Sequence, residues 1–157
     1  MVGGGGENYG AWSDEPYGWF VEKAGYGKII NIDVDEASDW YPTYFESLGA
    51  NITSYNLQIP TVAEANSFTV YQELLSADGI FIEGGDQWDY ISTWKNTYVQ
   101  SAIQSVYMNG GVIGGTSAGL AVLGEVVFDG EHGSLTSDQA AYNPYHYRVS
   151  MTDDFLD

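Results

Sequence analysis

The chain has 157 residues, enough for one domain with its own core, and 44% of them are aliphatic or aromatic, which argues against disorder. Its 22 Asp and Glu against 4 Lys and Arg give a formal net charge of −18, which excludes DNA or RNA binding by phosphate neutralisation and favours cationic ligands. No apolar run reaches the ~20 residues of a membrane-spanning helix, and the lack of cysteine excludes disulfides, a thiolate nucleophile and thiolate metal sites. Such acidity suits a saline setting and, with the Cys-free composition, points to an extracellular or periplasmic protein; no basic leader with an apolar stretch stands at the amino end.

In chain order, Met1-Val2 followed by Gly3 to Gly6 has the form of a strand end entering a glycine loop. Lys28 to Ile32 is a β-branched strand after the Gly25-Tyr26-Gly27 turn. The acids Asp33, Asp35, Glu36 and Asp39 lack calcium-loop spacing and read as a solvated turn. Asp39 to Leu48 is a helix with Asp39 as N-cap and Trp40, Tyr44, Phe45 and Leu48 on its apolar face, stopped by Gly49. Asn51 to Tyr55 is a second strand, so its Asn51-Ile52-Thr53 glycosylation sequon is coincidental. A helix over Val62 to Leu75 follows, with Ala65, Phe68, Tyr71, Leu74 and Leu75 at helical spacing. Gly79 to Glu83 is a continuous apolar strand running into Gly84-Gly85, and Trp88 to Met108 is a long or broken helix. Gly111 to Gly114 is a fourth strand, and Thr152 to Asp157 carries no recognisable element. Strands alternating with amphipathic stretches predict an α/β fold around a mostly parallel sheet, one domain over 1–157 that reads as incomplete at both ends.

The strongest chemical signal is Gly114-Gly115-Thr116-Ser117-Ala118-Gly119, set between an apolar strand and the apolar run Leu120 to Leu123. Small residues flank a nucleophile elbow because the turn is tight; it lifts the serine hydroxyl above the sheet and aims the Ala118 N–H at a developing oxyanion. The alternative is a glycine turn that merely packs helix on strand. Gly84-Gly85-Asp86-Gln87 also ends a strand, and neighbouring loops at that edge of a doubly wound sheet meet over one crevice. The N–H of Gly85 or Asp86 could then be the second oxyanion donor and Gln87 a substrate contact, the alternative being a turn in which Asp86 caps the next helix. Gly3 to Gly6 could form a third wall, although it lacks a phosphate-loop lysine. A serine nucleophile needs a base, and only His132 and His146 are present.

These residues resemble the cyanophycinase-like branch of the S51 serine peptidases: the two motifs above in this order, together with Gly3 to Gly6, Trp94 to Thr97, Ala121 to Glu125 and Asn143-Pro144-Tyr145. The resemblance implies a flavodoxin-like sandwich related to class I glutamine amidotransferases, with serine in place of cysteine and no metal or organic cofactor. It implies a peptide or cyanophycin-like substrate cleaved at aspartyl-linked bonds, either β-Asp-Arg or after an amino-terminal Asp. Ser117 matches the nucleophile, Gly85 and Ala118 the oxyanion donors, and Gln87 a substrate contact beside Asp86. Asp138 is the expected acidic triad member, with Glu131 behind it. The family's base lies in an Asp-x-His-Phe segment that nothing here matches, and it would come after Asp157. A complementing carboxy-terminal segment or a homo-oligomer would then complete the site. Two other readings are a non-catalytic secreted binding subunit built on the 13 Tyr and 5 Trp, and an α/β-hydrolase esterase that leaves the second motif unexplained.

Overall fold

The computed structural model describes residues 6–35, 38–51 and 53–156, so Met1-Val2, Gly3 to Gly5 and Glu36 lie outside the described residues. Helix α1 (Asp14–Lys23) is not expected from the sequence, because Gly18 weakens its helical signal and its inward face is largely aromatic, Tyr17, Phe20 and Val21. Strand β1 (Ile29–Asp33) is buried throughout. Helix α2 (Trp40–Ser47) follows without a side-chain cap from Asp39, and it buries Tyr41 while Trp40 stays 40% exposed.

The second strand differs from expectation. Strand β2 is Tyr55–Gln58, and Asn51 instead builds a turn, its side chain accepting from Thr53 N–H at 2.9 Å and its carbonyl from Ser54 N–H at 2.9 Å. As an edge strand β2 keeps a polar face, Asn56 and Gln58, which hid its period from the sequence reading. The expected helix over 62–75 is two, α3 (Val62–Ala65) and α4 (Phe68–Leu74), because Asn66 bonds back to Val62 O and Ser67 adopts an extended N-cap conformation. Strand β3 (Gly79–Ile82) stops one residue before Glu83. Helices α5 (Gln87–Trp94) and α6 (Tyr98–Met108) are separated where Asn96 takes φ +61°.

Strand β4 (Val112–Gly115) leads into the short helix α7 (Ala118–Ala121), followed by β5 (Val126–Phe128), α8 (Ser137–Tyr142) and β6 (Met151–Asp153). Thr152 and Asp153 thus pair with β5 in an antiparallel ribbon and Phe155 is fully buried, contrary to the expectation of no element there. The main sheet has the order β2-β1-β3-β4 with every pair parallel. Side-chain alternation divides the core in two. Ile30, Ile32, Ile80 and Ile82 pack with Trp94, Val99, Ile103 and Val106 of α5 and α6. On the other face Ile29 and Phe81 pack with Tyr17, Phe20 and Phe45 of α1 and α2, the three rings lying 5.2–5.6 Å from Phe81. A parallel sheet brings all its carboxyl ends to one edge, and there both glycine motifs end up.

Candidate active site

Ser117 lies two residues past β4, at φ +51° and ψ −119°, a region that a non-glycine residue occupies only under constraint. Its side chain is exposed while Gly115, Thr116, Ala118 and Gly119 are buried. The glycines are steric necessities: a Cβ on Gly115 would lie 2.5 Å from the Gly119 backbone, and one on Gly119 would run into the carbonyl oxygens of Ile82 and Glu83. The first turn of α7 therefore rides directly on the end of β3.

The second turn comes to meet it. A Cβ on Gly84 would sit 3.3 Å from Ser117 Cβ and 3.8 Å from its Oγ, so the two turns close over one small gap. The Tyr90 hydroxyl holds this turn from beneath, placed 3.0 Å from Glu83 O and 3.1 Å from Gly84 O. Asp86 caps α5, its Oδ1 accepting from Trp88 N–H at 2.9 Å. Gln87 Nε2 donates to Phe128 O at 3.2 Å, tying the turn to β5. Among the described residues the N–H groups of Gly85 and Ala118 donate to no protein acceptor.

Below the turns lies an acidic floor that the sequence reading missed. Glu83 is 5% exposed and Asp33 7% exposed, although the latter was expected in a solvated turn. Burial, then the neighbouring charges of Asp33 and Glu7, push the Glu83 carboxyl up to about 8. Burial also raises Asp33, against hydrogen bonds from backbone N–H groups of Asp35 and Val34. The hydroxyls of Tyr17 and Tyr41 both donate to Glu7 Oε1 at 2.8 Å. Burial and the Glu7 hydrogen bond raise both phenols, which keeps them neutral donors. The overlooked signal was an acid closing each of two neighbouring apolar strands, Asp33 after Ile32 and Glu83 after Ile82.

Asp138 is exposed in the first turn of α8. His132 pairs with Glu131 at 3.9 Å, and His146 Nδ1 accepts from Arg148 N–H at 3.2 Å. No hydrogen bond or ion pair joins any of these four to Ser117 among the described residues. The described residues also hold no His, Asp and Glu group able to bind a metal ion, and no helix long and apolar enough to cross a membrane.

The family model of peptidase family S51 matches residues 32–143, a span that holds both glycine turns and the buried acids Asp33 and Glu83. The chain belongs to this family. A crystal structure of a peptidase from an acI-B1 Actinobacterium is similar in fold, with a TM-score of 0.63 and 20% identity over 98% of this chain. The chain spans 62% of that peptidase's length. No curated protein matches it. The S51 chain thus has a flavodoxin-like α/β fold whose carboxyl edge presents a constrained, exposed serine, two unengaged N–H groups and a buried acidic floor. Chemically, an exposed hydroxyl held in a constrained turn is the kind of group that acyl transfer uses as its nucleophile.

Proposed function

We propose that this chain carries the nucleophile of a serine peptidase of the cyanophycinase type, hydrolysing aspartyl-linked bonds, β-Asp-Arg or Asp-X, through an acyl-enzyme at Ser117. The observation that supports this reading is the approach of the Gly84-Gly85 turn to within van der Waals reach of Ser117, with the serine exposed in a constrained conformation. Ser117 Oγ attacks the carbonyl carbon, and the N–H groups of Gly85 and Ala118 hold the oxygen as it becomes negative. Collapse breaks the C–N bond, the amine leaves with a proton, and water then cleaves the ester to regenerate Ser117.

In this reading Asp138 is the acidic triad member, Glu131 its alternate, and Gln87 with Asp86 contacts the substrate. The proton leaving Ser117 passes to a histidine, which a complementing segment or a second copy brings to the crevice. Neither His132 nor His146 bonds to Ser117 within one copy among the described residues, so replacing each with Ala separates the two sources: reaction at Ser117 survives both changes if a complementing segment supplies the histidine and is lost in one of them if a second copy does. Labelling with a fluorophosphonate probe, mapped by mass spectrometry, tests the nucleophile. With the complementing segment present, we expect modification at Ser117, lost in Ser117→Ala, and cleavage of β-Asp-Arg or Asp-X in preference to matched Ala-X peptides; without that segment turnover is negligible, because triad members act as a unit. Absence of label, or label on another serine, refutes the reading. It would favour a binding subunit, for which the 93% exposed Tyr142 and 91% exposed Tyr145 offer an aromatic surface.

A further inference from the structure

The turn that ends β3 is held from one side by Tyr90 and met from the other by Ser117. Helical side chains lean toward the amino end of their helix, and Tyr90 stands one turn into α5, so its hydroxyl reaches back to the loop from which the helix grows. There it donates to Glu83 O at 3.0 Å and to Gly84 O at 3.1 Å. In a regular strand successive carbonyls point to opposite neighbours; here two in a row converge on one hydroxyl, so the Gly84-Gly85 peptide turns over as the chain leaves β3. The glycines show the same two-sidedness. A Cβ on Gly84 would face Ser117, and one on Gly85 would lie 3.0 Å from the Tyr90 hydroxyl.

The Gly84-Gly85 peptide is trans, so its N–H lies antiparallel to its C=O. With the Gly84 carbonyl drawn to Tyr90, the Gly85 N–H points away from the phenol, and it donates to no protein acceptor among the described residues. The turn itself does not enforce this. Glycine on both sides leaves the peptide free to rotate, and the reversed orientation would offer a carbonyl oxygen where a donor is needed. The phenol is built to select one orientation. Tyr90 is 1% exposed, its ring stacks 4.7 Å from that of Trp94, and Trp94 Nε1 donates to Ile59 O at 3.0 Å, so the hydroxyl stands on a fixed platform. Burial, then the charge of neighbouring Asp33, raises the phenol, which keeps its proton available for donation.

We propose that Tyr90 is a positioning residue for the reaction at Ser117: its hydroxyl fixes the Gly84-Gly85 peptide with the Gly85 N–H turned toward the crevice, where the acyl oxygen gains charge. The assignment rests on the Ser117 reading and adds to it the group that orients one oxyanion donor in advance. Tyr90 acts through the peptide and not on the substrate. Removing its hydroxyl leaves the Glu83 and Gly84 carbonyls without this donor and frees the peptide to reverse. Loss of a buried hydrogen bond shifts such a balance by about tenfold or more. An oriented donor counts only as charge develops on the oxygen, so the effect belongs to kcat and not to KM.

The test is Tyr90→Phe, which keeps the ring and its stacking. On the chain by itself, the residual dipolar coupling of the Gly85 amide, measured by NMR, reports the orientation of its N–H. We expect it to shift, or its signal to split in two, while the couplings of Gly79 to Ile82 in β3 stay as in wild type. With the complementing segment present, cleavage of an Asp-X peptide loses at least about tenfold in kcat while KM holds within about twofold. Gly85→Ala, whose methyl group would meet the hydroxyl at 3.0 Å, gives the same split and keeps the test decisive should Tyr90→Phe fail to fold. An unmoved Gly85 coupling, an unchanged kcat, or a loss carried by KM overturns the assignment. Failure of the wild-type protein to cleave peptide and to take fluorophosphonate at Ser117 removes the peptidase reading instead, and the Gly85 coupling then decides by itself whether Tyr90 sets the peptide.

Discussion

Replacing Glu83 with Gln keeps the shape of the side chain and deletes its ionisation. Burial first, then the charges of Asp33 and Glu7, raise this carboxyl from 4.5 to about 8. Between those values the folded protein keeps a proton that the unfolded chain has released, so the stability this group contributes is complete below about pH 4.5 and is lost as pH rises toward 8. Each unit of pH across that window costs about 1.4 kcal/mol, which accumulates to roughly 3 kcal/mol by pH 7 and roughly 4 kcal/mol at pH 8. Gln stays neutral throughout and escapes this loss. Urea unfolding of both proteins near pH 4.5, 6, 7 and 8 measures the difference. We expect near-equal stabilities at the acid end and a Glu83→Gln protein more stable by about 3 kcal/mol at neutrality. A residual slope in the variant belongs to Asp33, which is raised in the same direction. Parallel curves for the two proteins would refute the buried, proton-holding Glu83.

Two other substitutions probe the frame around the site. Gly119→Ala places a methyl group against the Ile82 and Glu83 carbonyls, so α7 must lift from β3; the expected loss is about 1–3 kcal/mol in urea, with slower fluorophosphonate labelling of Ser117. Unchanged stability would mean that the close approach is absent. Asp129 is 3% exposed and accepts from Ser150 Oγ, from Thr152 Oγ1 at 2.9 Å and from Glu131 N–H at 3.0 Å. Asp129→Ala should cost roughly 2–3 kcal/mol and expose the β5–β6 ribbon to hydrogen exchange before the main sheet. Burial alone would raise Asp129, but these donors and nearby His132 outweigh it and hold the carboxyl below its usual value. Its stabilisation is therefore present above about pH 3.8 and vanishes as pH falls through the lowered value, so acid unfolding of wild type and variant should converge.

The parallel core strands were legible because burial on both faces makes them continuous apolar runs, as in Ile29-Ile30 and Ile80-Phe81-Ile82. The serine and glycine turns were legible because backbone contact demands glycine at fixed places, Gly115 and Gly119. Edge strand β2 was misplaced because alternation is all that marks a half-buried strand, and Asn51-Ile52-Thr53 imitates it. The break at Asn66 was hidden, and that within 88–108 was expected only as one of two alternatives, since asparagine can end a helix through its own side chain or through positive φ without any apolar signal changing. Helix α1 was missed for a different reason. Its hydrophobic payload is aromatic, and Tyr17 and Phe20 are recognisable as core only once Phe81 and Phe45 supply the other rings.

The acidic floor was invisible because a charge at a strand end ordinarily marks the exit to solvent. What buries Asp33 and Glu83 is the pairing of β1 with β3 together with the cover of α1 and α2, none of which a local pattern encodes. The polar strip also continues inward: Asn31 lies two residues before Asp33 on the same face, is 1% exposed, and among the described residues neither it nor its cross-strand neighbour Asn56 has a partner for its side-chain amide. Side chains that serve only stability do not collect in this way, since burying an unpaired amide costs about 1–3 kcal/mol and an aliphatic residue would fit the same pleat. The unpaired amides, the raised carboxyls and the positive-φ serine all stand on or beside the strands that end at one edge of the sheet. The opposite edge is strained as well, with Tyr26 at φ +58° in the turn entering β1, but the unpaired side-chain amides and raised carboxyls belong to the strands themselves and to the serine end. Buried polar groups kept without partners are a cost to folding, and here they sit on the strands that lead to the serine turn without being part of its motif.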